Sequence, residues 1–241
     1  MTESYESRIY PLNEQALSIE LGLGIHEEIL ARVTNLKSAL TDKPFPGLRT
    51  MVPAYTTLTI FFDLKTVLES DLKGTTGFDK VSGYLKELIF TQKAQTVEKG
   101  RLLEVPVCYE ERFAPDLSLV AAYTNLSSEE VIALHTAAVY QVYMIGFVPG
   151  FAYLGGMNSK ISMPRKAEPR SEIVAGSVGI AGEQTGIYPL NTPGGWQIIG
   201  CTPVQLFDIN LAEPSYLKAG DQIKFKSISS EVFHHLQQHA D

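Results

Sequence analysis

The sequence predicts a small α+β domain followed by an all-β barrel or closed sandwich. Three observations carry that reading. The first ninety residues alternate short strand-like runs with helical apolar stripes, whereas from Val139 onward aromatic and β-branched runs are broken by Gly and Pro with no long helical period. Residues 93–101 (KAQTVEKGR) are polar and carry little periodicity, which places the linker there. The 241 residues, 44% hydrophobic, suffice for one large core or two modest ones. The expected domains are 1–93 and 102–227.

In order along the chain, Arg8 to Pro11 and Ala16 to Leu21 read as short strands. Ile25 to Leu40 follows as a helix, because Ile25, Ile29, Val33, Leu36 and Leu40 recur in steps of three and four and make one stripe. Asp42, Pro44 and Pro46 stop it. Leu48 to Val52 and Leu58 to Phe62 are strands, and Val81, Tyr84, Leu85, Leu88 and Ile89 mark a second helix. Beyond the linker, Leu102 to Tyr109 is a strand. Ser127 with Glu130 forms a capping-box pattern ahead of Val131, Leu134 and Ala138, which opens a short helix. Ile187-Tyr188, Trp196 to Ile199 and Gln222 to Phe225 are strands of the barrel. Glu231 to Asp241 are compatible with a helical turn, with His234, His235 and His239 in a solvated tail.

Composition excludes several classes. A net charge of −7 with no basic stripe disfavours nucleic acid as a partner. No run of eighteen apolar residues occurs, and MTESYESRIYPL lacks the pattern of a secretion signal, so a cytosolic protein is expected. Cys108 and Cys201 stand far apart without metal-ligand spacing and read as small core residues; neither a disulfide nor a metal site is expected. There is no GxxxxGK[ST] phosphate loop, and GLGIHE at Gly22 lacks the third glycine of a dinucleotide fingerprint. Gly176-Ser177-Val178-Gly179 lacks the spacing of a nucleophile elbow, which disfavours a hydrolase acting alone through serine.

The stretch from Gly146 to Gly200 holds eleven of the nineteen glycines and is the candidate site. Glycine there serves either turn geometry or the close approach of a ligand or second strand. Under the second reading, exposed N–H groups at Gly150, Gly179, Gly194 and Gly195 cradle an anion or polarise a carbonyl. Arg165 and Arg170 follow proline-stiffened segments, where a planar guanidinium suits a carboxylate or phosphate; the alternative is a surface salt bridge to Glu168 or Glu172. Gln184, Thr185, Tyr188 and Thr192 offer neutral hydrogen-bonding groups, and Trp196 walls the cavity or fills the core. Arg165, Arg170 and His135 are the candidate catalytic residues, although His135, like His26, sits on a helix where a lone histidine is ordinarily structural.

These residues also carry a resemblance. PVCY at Pro106, PDL at Pro115, ALHTAA at Ala133, VYMIGFVPGFAYLGGM at Val142, PRKAEPR at Pro164 and GSVGIAGEQTGIYPLNTPGGWQIIGCTPVQLFD at Gly176 resemble the family variously called allophanate hydrolase subunit 1, Kip-type kinase inhibitor and the B subunit of prokaryotic 5-oxoprolinase. The likeness is strong from about residue 102 to 225. One departure is Glu110-Glu111-Arg112, where the family usually has glycines. The resemblance implies a cyclophilin-like barrel and, as partner, a second cyclophilin-like protein, the C subunit. Together with the A subunit, the complex implied opens 5-oxoproline to glutamate using ATP, which is shared with the partner; related domains occur in urea carboxylase. It also implies an alternative, inhibition of a sensor histidine kinase through an apolar patch of Phe147, Phe151 and Tyr153. The enzyme reading ranks first, because a polar, glycine-rich site is more than a docking surface needs. Prolyl isomerisation, from fold analogy alone, ranks last.

Overall fold

A computed structural model of the chain describes residues 7–24, 26–91 and 100–239. Most of the 93–101 segment, Ile25 and the last two residues lie outside them. The chain divides into two units, Met1–Glu98 and Lys99–Asp241.

In the first unit, β1 (Arg8–Asn13), β2 (Ala16–Glu20), β3 (Leu48–Pro53) and β4 (Thr57–Phe62) form an antiparallel sheet of order β1-β2-β4-β3. Helices α1 (Glu27–Asp42) and α3 (Gly77–Thr91) bury their stripes against its apolar residues. Leu58, Ile60 and Phe62 alternate with half-buried neighbours, the two-residue period of a strand with one covered face. Val33, Leu36 and Leu40 are the matching stripe on α1. A short helix the apolar periodicity does not signal, α2 (Leu64–Glu69), is started by Asp63, whose carboxylate accepts from the Thr66 amide at 2.9 Å. Its last turn is closed by Lys80, whose buried ammonium donates to the carbonyls of Leu68 and Ser70.

The second unit is a closed barrel. Its strands are β5 (Leu102–Cys108), β6 (Val139–Ile145), β7 (Ala152–Gly155), β9 (Ser177–Ala181), β10 (Gln184–Ile187), β12 (Gln197–Cys201) and β13 (Gln222–Ile228), in the order β10-β7-β6-β13-β5-β12-β9. Only β13 and β5 run parallel; closure leaves the barrel without an open edge. A separate two-stranded ribbon joins β8 (Arg170–Ile173) to β11 (Thr192–Gly194). Helix α4 (Leu117–Thr124) precedes α5 (Ser128–Ala137), and α5 starts at the reciprocal Ser127–Glu130 capping box that the sequence encodes. Helix α6 (Ser230–Gln238) packs on β5.

His135, on α5, points into the barrel core with no exposed surface. Thr185 Oγ donates to the Gly179 carbonyl (2.9 Å), so it must accept from His135 Nε2–H (3.1 Å), and Nδ1 then accepts from the Tyr109 hydroxyl (2.8 Å). Tyr140 OH donates to the His135 carbonyl, and the ring stacks on Phe225 at 4.6 Å. Burial lowers the imidazole pKa to about 3. The folded protein therefore keeps it neutral, while the unfolded chain takes up a proton near pH 6.5. Its contribution is fully present above that pH and is lost at up to about 1.4 kcal/mol per unit as pH falls toward 3. Between about pH 7.5 and 5, the stability advantage of wild type over His135→Gln should shrink by about 2 kcal/mol in urea unfolding. A pH-independent difference would refute this account.

Candidate functional site

Along β9 and β10, Val178, Ile180 and Ile187 belong to the barrel's interior cluster. The alternating Gly179 and Gly186 therefore face outward, against Trp196. A Cβ on Gly186 would stand 2.9 Å from Trp196 Cζ3 and 3.0 Å from the Ala152 carbonyl oxygen. Trp196 is the hub of an aromatic group on this outer wall, meeting Phe151, Tyr153 and Tyr188 edge-on at 5.5, 6.0 and 6.5 Å. Burial pushes the Tyr188 phenol up to about 12 and raises that of Tyr153, so both are neutral near pH 7.

The Pro164–Arg170 loop lies over this wall and is clamped from below by Asp116. That carboxylate is almost fully buried and takes both Arg170 terminal nitrogens at 2.7 Å, Lys166 Nζ at 2.9 Å and the Ile198 amide at 2.7 Å. Burial alone would raise its pKa; the bonds from Arg170, Ile198 and Lys166 outweigh that and hold it below the usual carboxylate range. Two further ties fix the loop. Lys166 N–H donates to the Gly195 carbonyl at 2.7 Å, and Gln197 Nε2 donates to the Pro164 carbonyl at 3.0 Å. Arg165 rides on this clamped loop. It is exposed, its guanidinium carbon lies 5.8 Å from the Trp196 ring centre, and it has no carboxylate partner among the described residues. The arrangement presents one unneutralised, oriented cation beside neutral phenols.

The sequence-predicted residues divide accordingly. Arg165, Trp196, Tyr188, Gly179 and Gly194 come together on the outer wall; a Cβ on Gly194 would stand 2.5 Å from the Tyr188 hydroxyl. Gly195 receives the clamped loop, Gly150 makes a positive-φ turn (+82°) against Phe207, and Thr192 and Gln184 lie on β11 and at the start of β10. His135 and Thr185 stand apart, sealed in the barrel with their polar side-chain atoms bonded to each other or to protein groups, so neither has an atom to offer a substrate. Arg170 pairs with Asp116, not with Glu168 or Glu172. Three other glycines of the stretch, Gly146, Gly176 and Gly182, have their amides bonded internally, to the carbonyls of Phe151, Tyr188 and Met163. Gly179 and Gly186 give clearance to Trp196.

Sequence reasoning missed Asp116, Lys166 and Gln197. One signal was present: Asp116 stands at the N-cap of α4, yet its side chain makes no capping bond because it is committed to the loop. The Glu110-Glu111-Arg112 departure docks the C-terminal helix. Glu110 Oε1 accepts from the Ser230 amide at 2.7 Å, and Phe113 packs on Phe233 at 4.4 Å. Both cysteines are free thiols; Cys108 is buried and Cys201 half-buried. Among the described residues no His, Cys, Asp and Glu group suits a metal ion, and no helix is long and apolar enough to cross a membrane.

The B subunit of 5-oxoprolinase from Bacillus subtilis (strain 168) is 43% identical over 235 residues, which cover 97% of this chain and 97% of that protein. A crystal structure of a conserved uncharacterized protein, PH0987 from Pyrococcus horikoshii, is 40% identical with a TM-score of 0.55, covering 94% of this chain and all of that one. The K. lactis urea amidolyase shares the fold alone: 17% identity and a TM-score of 0.76 over 98% of this chain and 16% of that enzyme. Residues 7–217 match the family described as carboxyltransferase domain, subdomain C and D, and the chain belongs to that family.

Proposed function

We propose that this chain is the B subunit of an ATP-dependent 5-oxoprolinase, acting with a second cyclophilin-like protein as its C subunit and with a third component as its A subunit. The observation that carries the reading is the clamped Arg165, together with near-complete coverage of a relative named as the B subunit of 5-oxoprolinase. A lactam resists water because its nitrogen shares electrons with the carbonyl. Transfer of the γ-phosphoryl group of ATP to the lactam oxygen removes that resistance. Water then adds to the ring carbon, the C–N bond breaks as nitrogen takes a proton, and a second water releases phosphate to leave glutamate. Phosphoryl transfer to the lactam and the final release of phosphate both shift negative charge among phosphoryl oxygens, and an oriented guanidinium stabilises such charge where it develops. Arg165 supplies that cation, and its exposure leaves it accessible to groups brought by a partner. The sequence has no GxxxxGK[ST] loop, so ATP binds through a cradle of another kind, shared with a partner, or mostly on that partner.

The kinase-inhibitor reading loses its proposed patch. Phe151 is buried beneath Tyr153 and Trp196, Tyr153 is half-buried, and of the three only Phe147 is exposed. The test is omission. Purified chain alone should show no 5-oxoproline-dependent ATP hydrolysis, the three-component mixture should show it, and leaving this chain out should abolish it. Unchanged activity on omission would defeat the proposal.

A further inference from the structure

A cleft of about 180 Å³ opens beside the clamp, between the Arg112–Pro115 loop and the start of β9. A cavity of roughly 150 Å³ accommodates benzene, so this space suits a five-membered ring with one substituent. Its floor is apolar, from Ile173 and Ile198. Two polar groups on its lining lack internal partners. Ser177 is 4% exposed, and its hydroxyl makes no hydrogen bond with the described residues. Among the described residues no fully buried side-chain nitrogen or oxygen lacks a partner, so this hydroxyl is the part of Ser177 that stays open, on the side of the cleft. Arg112 stacks over Phe113, 5.9 Å from its centre, and has no carboxylate partner among the described residues. The other arginine of the cleft, Arg170, is neutralised by Asp116, and the one carboxylate on the lining, Glu172, accepts from Asn191 Nδ2 at 3.1 Å.

We propose that this cleft is the subsite for a lactam carboxylate, with the carboxylate on Arg112, the ring methylenes on Ile173 and Ile198, and the amide facing the Ser177 hydroxyl. The assignment rests on the 5-oxoprolinase reading and adds the place where the substrate sits. Ser177 acts here as a hydrogen-bonding group, because no base hydrogen-bonds it among the described residues. Cys201 also lines the cleft as a neutral thiol, since burial pushes its pKa up to about 11.

Two fragments dissect the site: 2-pyrrolidinone keeps the lactam without the carboxylate, and cyclopentanecarboxylate keeps the carboxylate without the amide. Binding of 5-oxo-L-proline and both fragments to the full chain is followed by amide chemical shifts, beside the KM of the reconstituted complex. Arg112→Ala should weaken 5-oxoproline and cyclopentanecarboxylate at least tenfold and leave 2-pyrrolidinone unchanged. Ser177→Ala should weaken 5-oxoproline and 2-pyrrolidinone only, and both variants should raise KM with the melting temperature unchanged. A complex that turns over 5-oxoproline with the same KM in both variants overturns the cleft assignment and leaves the enzyme reading standing. A complex with no turnover of 5-oxoproline overturns the reading and this assignment with it. Ligand-induced shifts confined to residues outside the cleft also overturn it.

Discussion

Asp116→Ala should destabilise the barrel unit by about 3 kcal/mol, because it strands Arg170 and Lys166 together and orphans the Ile198 amide. Removing one partner of a buried pair typically costs about 3–5 kcal/mol; the cationic side chains keep 30% and 23% of their exposure, so water offsets part of the loss and the lower end applies. Asp116→Asn keeps an acceptor and the shape, and should cost less. Urea midpoints of the three proteins check the ordering. A loss below about 1 kcal/mol for the alanine variant would mean the loop is held by its backbone ties alone.

Arg165→Ala should leave stability nearly untouched yet lower kcat of the reconstituted complex by about 100-fold or more. Its side chain is exposed and bears no ion pair among the described residues, and surface substitutions of that kind stay within about 0.5 kcal/mol. Its activity effect is large because deleting one preorganised charge-stabilising donor typically costs about 100- to 1000-fold in rate. Arg165→Lys keeps the charge but lacks the planar fork that lies over Trp196, and should recover only part of the loss. The two arginines, equivalent in sequence, should thus separate: substitution of Arg165 is expected to change turnover alone, and substitution of Arg170, which is bonded to a buried carboxylate, to lower stability as well.

How far the sequence reached follows from the range of each interaction. The α1 stripe, the alternation of β4 and the Ser127–Glu130 box are local patterns, and all three are present. Helix α4 escaped because LSLVAAYT is apolar almost throughout, leaving no stripe to detect. Asp116 escaped because its partners lie 50 and 54 residues away and nothing local marks the pairing. His135 was visible as a helical histidine, but periodicity tells which face is covered and not what covers it; here that is a barrel interior with Tyr109 and Thr185 as its partners. Gly179 and Gly186 clear space for an indole, a role that composition does not distinguish from a ligand cradle.

The most direct test is the turnover of 5-oxoproline by the three-component complex carrying wild-type, Arg165→Ala or Arg165→Lys chain, with the thermal midpoint of each chain measured in parallel. The account predicts equal midpoints and a steep fall in kcat for alanine, partly restored by lysine. Full turnover in the alanine complex would contradict it, since the cation held over Trp196 would then have no part in the reaction.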